Sequence, residues 1–245
     1  MKTQTITLSR GESVTLTTYI LDGSSEMSNM LKKRGILICP GGAYKFCSDR
    51  EAEPVAMAFL AQGYNAFILC YSVGKGAAKF PRPLEDAQEA LELIRKNADE
   101  WCVYEDKIAV LGFSAGGHLA AALSTMGRIR PNAAILGYPC ILDSISPILA
   151  EPVPSLEKMV DEKTPPTFIF AAANDKGVPV ENSLEYASAL DKHNIPFEIH
   201  IFGRGGHGFS LGTRVVFSNE KSLNENIYTK RWVKMCFDWL DSVFE

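Results

Sequence analysis

The sequence predicts an α/β protein: a mainly parallel central sheet, an N-terminal antiparallel hairpin, and helices on both faces. Three observations carry this. Short apolar, β-branched runs alternate with longer stretches of helical period from residue 35 to the C-terminus. Such alternation calls for crossover connections, and hence for parallel strands covered on both sides. Hydrophobic residues make up 46% of the 245 residues and aromatics 10%, enough for a substantial core, and there is no internal repeat or low-complexity tract.

The elements follow in order. Residues 4–8 and 13–20 are rich in Thr, Val and Ile and flank Arg10, Gly11 and Glu12, which predicts the opening hairpin. GILIC (35–39) is a buried strand, followed by the glycine-containing PGGAYKFCSDRE (40–51). The apolar positions of 51–63 suit a helix, and Ser48 with Glu51 has the spacing of a capping box at its start. Residues 64–72 form the next strand. In 82–101, Leu84, Ala87, Leu91 and Ile94 share one helical face. A strand at 107–113 runs into a helix beginning at Ser114, and 133–138, 167–173 and 197–202 are further strands. Helices are expected over 181–193 and 228–244. Between Cys140 and Pro166 the chain carries Pro147, Pro152, Pro154 and Pro165 and no clear period, as expected of an irregular cap over one edge of the sheet. Residues 1–245 are expected to form one domain.

Charge and cysteine usage exclude several classes. Lys and Arg number 25 against 29 Asp and Glu, a net charge of −4 with no basic run, so neither nucleic acid nor an anionic membrane is an expected partner. No apolar run approaches the roughly 18 residues of a bilayer span, and the N-terminal residues lack the apolar region of a secretory signal. Cysteines 39, 47, 70, 102, 140 and 236 are scattered without a CxxC pair, which predicts reduced thiols rather than a disulfide framework or zinc site. A cytoplasmic location is the expectation. No metal or organic cofactor is implied.

The chemistry centres on GFSAGGH (112–118), which matches G-x-S-x-G between a strand and a helix. This pattern makes a sharp, strained turn that lifts the Ser114 hydroxyl above the sheet, beside the partial positive charge of a helix N-terminus. A serine nucleophile needs a base, and the base an orienting carboxylate. Four histidines are available. His193 sits in a charged helix end, His200 within a strand, and His118 on the Ser114 helix, where a structural hydrogen bond is expected. His207 lies in a glycine-rich loop directly after the last strand and is the expected base. Asp175 follows the 167–173 strand and is the expected orienter, with Asp143 and Asp161 as rivals in the cap. Gly41, Gly42 and Ala43 lie in a loop whose N–H groups can face the substrate. The expected oxyanion donors are Gly42 or Ala43 together with Ala115. Tyr44 and Phe209 flank these loops, where each either touches substrate or packs into the core.

With these residues assembled, the chain resembles α/β-hydrolase esterases of the acetyl-xylan-esterase-like, xylanase-B-like sugar-ester hydrolase group. PGGAY (40–44), REAEPVA (50–56), GFSAGGHLAA (112–121), RPNAAILGYP (130–139), NDKGVPVENS (174–183) and GGHGF (205–209) carry the resemblance, which extends from about residue 34 onward. Pro40 stands where related esterases have the histidine of an HGGG loop, and Ala43 where they have its third glycine. The resemblance implies an α/β-hydrolase fold and a serine carboxylesterase that removes short acyl groups, acetyl above all, from acylated sugars or oligosaccharides. Two alternatives keep the same framework. One is a formamidase or small peptidase using the same three residues; the other is a hydrolase-fold protein that holds a ligand without turning it over. A homo-oligomer formed through an exposed edge strand is compatible with either.

Overall fold

The computed structural model describes residues 1–245 and contains one eight-stranded sheet, in the order β1-β2-β4-β3-β5-β6-β7-β8. Strands β1 (Lys2–Thr7) and β2 (Thr15–Ile20) form the antiparallel hairpin, with Lys2 opposite Ile20. β2 pairs antiparallel with β4 (Asn65–Cys70). From there the sheet is parallel through β3 (Lys33–Cys39), β5 (Val103–Phe113), β6 (Ala133–Gly137), β7 (Thr167–Ala172) and β8 (Phe197–Phe202).

Side-chain alternation divides the core into two. Leu37, Val110, Leu136 and Ile169 face the larger cluster, which also takes side chains from α2 (Arg82–Lys96), α3 (Ala115–Met126) and α4 (Glu181–Lys192). Ile38, Leu111, Ile135 and Phe170 face the opposite cluster, with α1 (Glu53–Leu60) and α6 (Arg231–Val243). Strands buried on both faces explain the continuous apolar runs of the sequence. Trp232 of α6 stacks on Phe170 with ring centroids 4.1 Å apart, and its indole N–H donates to the Ser210 carbonyl at 2.8 Å.

Three elements differ from expectation. The helix expected over 82–101 ends at Lys96, where the Asn97 side chain donates back to the Leu93 carbonyl and the chain turns through a buried Trp101. β5 starts at Val103, earlier than the polar Tyr104–Asp106 stretch suggests, because Val103 pairs with Lys33 of β3. A short helix, α5 (Glu220–Asn226), precedes α6 and is capped by the Asn219 side chain accepting from Ser222 N–H. The segment from Cys140 to Pro166 holds only two short 3₁₀ turns, Asp143–Ile148 and Glu157–Met159. It is tied down by Arg130 pairing with Asp161 and by Ala150 N–H donating to the Ala43 carbonyl at 2.9 Å. All six cysteines are free. No helix is long and apolar enough to cross a membrane.

Candidate active site

The carboxyl ends of β3, β5, β6, β7 and β8 converge, and the loops that leave them supply every group of the site. Ser114 sits between β5 and α3 at φ 53° and ψ −117°, a strained backbone conformation for a residue with a side chain. The residues two positions to either side must be glycine. A Cβ on Gly112 would collide with the Gly116 carbonyl, and one on Gly116 with the carbonyls of Cys39 and Pro40. The turn therefore closes only because strand and helix backbones touch directly.

His207 Nε2 lies 2.8 Å from Ser114 Oγ, and His207 Nδ1 lies 2.7 Å from Asp175 Oδ2. The carboxylate can only accept, so Nδ1–H donates to Asp175 and Nε2 is left to accept the serine hydroxyl. The other Asp175 oxygen accepts the N–H groups of Gly177 at 2.7 Å and Val178 at 3.0 Å, which fixes the carboxylate in place. Its side chain is 1% exposed, while His207 is 31% exposed and open to the cleft. Gly177 lets His207 approach its backbone closely, since a Cβ there would meet His207 Cγ at 2.9 Å. Asp143 is exposed and Asp161 is bound to Arg130, so neither rival carboxylate belongs to this line.

Gly42 has φ 127° and Ala43 φ 57°, left-handed conformations that turn the loop after β3 over the serine. The N–H groups of Gly42 and Ala43 donate to no other group of the protein. Ala115 is the first residue of α3, so its N–H has no intrahelical acceptor either. The Gly41 N–H is not free: it donates to Glu51 Oε2 at 2.8 Å. Cys140 Sγ lies 4.0 Å from Ser114 Oγ, but burial pushes its thiol up to about 12, so it stays protonated.

Tyr44 and Phe209 are 1% and 0% exposed and belong to the two cores, so neither lines the cleft as a substrate contact. Tyr44 instead donates its hydroxyl to His118 Nδ1 at 2.9 Å, and His118 Nε2–H donates to the Pro154 carbonyl at 3.0 Å. That is the structural hydrogen bonding expected of His118, and burial lowers its pKa to about 4. The aromatic residue at the cleft is Phe46, 57% exposed. With Gly42, Ala43, Arg50, Ile148 and Leu149 it lines a cavity of about 240 Å³ that opens on Ser114 and His207. A larger cavity of about 480 Å³ beside the hairpin, lined by Ser9, Arg10 and Arg82, lies apart from these groups, and Arg10 there is engaged by Glu85 and Asp86.

Glu51 also departs from expectation. It does not cap a helix with Ser48, whose side chain makes no capping bond; a 3₁₀ turn, Asp49–Glu51, intervenes before α1. Its carboxylate points into the site, accepting from Gly41 N–H and from Tyr138 O–H at 2.6 Å.

A strained serine elbow, an aligned histidine and aspartate, and unengaged N–H groups above them define a hydrolase of the nucleophile-elbow kind. Residues 26–133 match the BD-FAE family and residues 149–241 the prolyl oligopeptidase family. An α/β-hydrolase enzyme from a Medee basin deep-sea metagenome library superposes with a TM-score of 0.91 at 47% identity, covering 99% of this chain and 98% of that one. An acetyl ester-xyloside bifunctional hydrolase from Caldicellulosiruptor lactoaceticus superposes at 0.80 with 36% identity, over 94% of this chain and 88% of that one. An acetylxylan esterase from Xylanibacter ruminicola is 30% identical over 218 residues, 78% of this chain and 45% of that protein. The chain belongs to the α/β-hydrolase family. It spans less than half the length of the curated relatives it matches.

Proposed function

We propose that the protein is a serine carboxylesterase that removes short acyl groups, acetyl in particular, from acylated sugars or oligosaccharides through an acyl-enzyme. The observation that carries this reading is the unbroken line from Asp175 through His207 to Ser114 Oγ, lying under N–H groups with no other partner. His207 Nε2 takes the hydroxyl proton as Ser114 Oγ attacks the ester carbonyl. The oxyanion is received by the Ala115 N–H and those of Gly42 or Ala43. The tetrahedral adduct collapses, the sugar oxygen leaves with the proton from His207, and water repeats the sequence on the acyl-serine.

The substrate class is supported by the cleft and by the relatives. The roughly 240 Å³ cavity, with Ala43, Ile148 and Leu149 on its wall, suits a small apolar acyl group, while Phe46 offers an exposed aromatic face at its rim. One solved relative is an acetyl ester-xyloside hydrolase and one curated relative an acetylxylan esterase. Acetate release from acetylated xylo-oligosaccharides, run beside p-nitrophenyl acetate with Ser114→Ala as the blank, tests both levels. Turnover of the oligosaccharide with kcat/KM at least equal to that of the activated ester, and a dead blank, is the expected result. Cleavage of p-nitrophenyl acetate alone would remove the sugar assignment and leave the serine esterase.

A further inference from the structure

Glu51 is 3% exposed, and no Lys or Arg forms an ion pair with it. A buried carboxylate without a counter-ion is unfavourable unless it is fully hydrogen-bonded, and burial does push its pKa upward. What it receives instead is two donors from two different parts of the site.

One donor is the Gly41 N–H, in the peptide directly before the oxyanion loop. That peptide is wedged in place: a Cβ on Gly41 would meet Glu51 Oε2 at 2.6 Å, the Phe113 carbonyl at 2.8 Å and Ser114 Cβ at 3.0 Å. The other donor is the Tyr138 hydroxyl, whose oxygen accepts the Ser210 N–H at 3.0 Å. Ser210 lies three residues beyond His207, and its own hydroxyl donates to the Arg50 carbonyl at 2.6 Å. The Tyr138 ring meets the imidazole of His207 edge-on, with centroids 5.1 Å apart. Tyr138 holds φ 36°, an unfavourable value for an aromatic residue, so its backbone bends to deliver this hydroxyl.

From this geometry we infer that Glu51 is a positioning residue of the reaction, which joins the oxyanion loop to the His207 loop through Gly41 and Tyr138. The inference rests on the esterase reading above. It fixes where the Gly42 and Ala43 N–H groups stand relative to Ser114 Oγ, and Tyr138 carries the same constraint to the base. Such a joint acts on charge that develops only in the transition state, so its loss lowers kcat and leaves KM nearly in place.

The test uses Glu51→Gln, Tyr138→Phe, the double variant and Ser114→Ala in the full chain, with p-nitrophenyl acetate as substrate. A glutamine presents one acceptor oxygen to two donors, so one tie is lost at nearly constant shape. Glu51→Gln is expected to lower kcat by about 10- to 100-fold, with KM changed less than about threefold. Tyr138→Phe is expected to lower kcat by a smaller factor, and the double variant to be no worse than Glu51→Gln alone, because the two groups act as one unit. A kcat within twofold of wild type in Tyr138→Phe or Glu51→Gln, with Ser114→Ala dead, overturns the inference and spares the esterase. So does a loss confined to KM, or losses that multiply in the double variant. If Glu51→Gln does not fold, Tyr138→Phe decides alone. A Ser114→Ala variant as active as wild type overturns the esterase reading and this one with it.

Discussion

In the proposed mechanism, Asp175 holds the proton of His207 on Nδ1. An asparagine in its place can present an amide N–H to that nitrogen, which forces the proton onto Nε2 and blocks acceptance from Ser114. Asp175→Asn should therefore lower kcat by about 10⁴-fold, measured with p-nitrophenyl acetate, while Tm shifts little because the shape is retained. Phe46 works differently. Its ring is exposed at the rim of the cavity that opens on Ser114 and His207. Phe46→Ala is expected to raise KM several-fold for an acetylated oligosaccharide and to leave KM for p-nitrophenyl acetate unchanged. Equal effects on both substrates would show that the ring shapes the acyl pocket rather than receiving a sugar.

The elbow and the loop after β3 depend on backbone contact more than on side chains. Gly112→Ala places a methyl group against the Gly116 carbonyl where strand and helix meet, and neither element can retreat from a core filled on both sides. The expected loss is about 3 kcal/mol or more, seen as a lowered urea midpoint, with activity lost in parallel. Most elements were legible in the sequence because their signals are local. GILIC, the apolar face of α2 and the glycines around Ser114 each announce one strand, helix or turn. The order of Ser114, Asp175 and His207 along the chain was legible for the same reason, since each follows a strand. Glu51 was not legible, because its spacing from Ser48 matches a helix cap and its true partners lie ten and 87 residues away. Tyr138 was hidden at the end of an apolar strand. Among the aromatics of the loops, the pattern gives no reason to prefer Phe46 to Tyr44. One turn of the 3D path, set by φ 57° and 58° at Ala43 and Tyr44, sends Tyr44 inward and leaves Phe46 at the rim.

At the scale of the whole molecule, His118 links the loop after β3 to the cap through Tyr44 and Pro154, and it does so as a neutral ring. Its pKa is lowered by burial from 6.5 to about 4. Between those values the unfolded chain binds a proton that the folded protein does not, so stability rises with pH across this window. The contribution is complete above about pH 6.5 and is lost as pH falls toward 4, by roughly 3 kcal/mol in total. Urea unfolding at a series of pH values should show a shallower decline for His118→Gln than for wild type. That comparison also separates the histidine from Glu51 and Asp86, whose raised carboxyl pKa values act in the opposite sense. The stack of Trp232 on Phe170, with its N–H on the Ser210 carbonyl, has a use of another kind. The indole is fully buried and hydrogen-bonded to the very loop that carries His207, so any shift of that loop alters its surroundings and hence its emission. With Trp101 and Trp239 replaced by phenylalanine, the protein would carry one native fluorophore that reports the movement of the loop bearing His207.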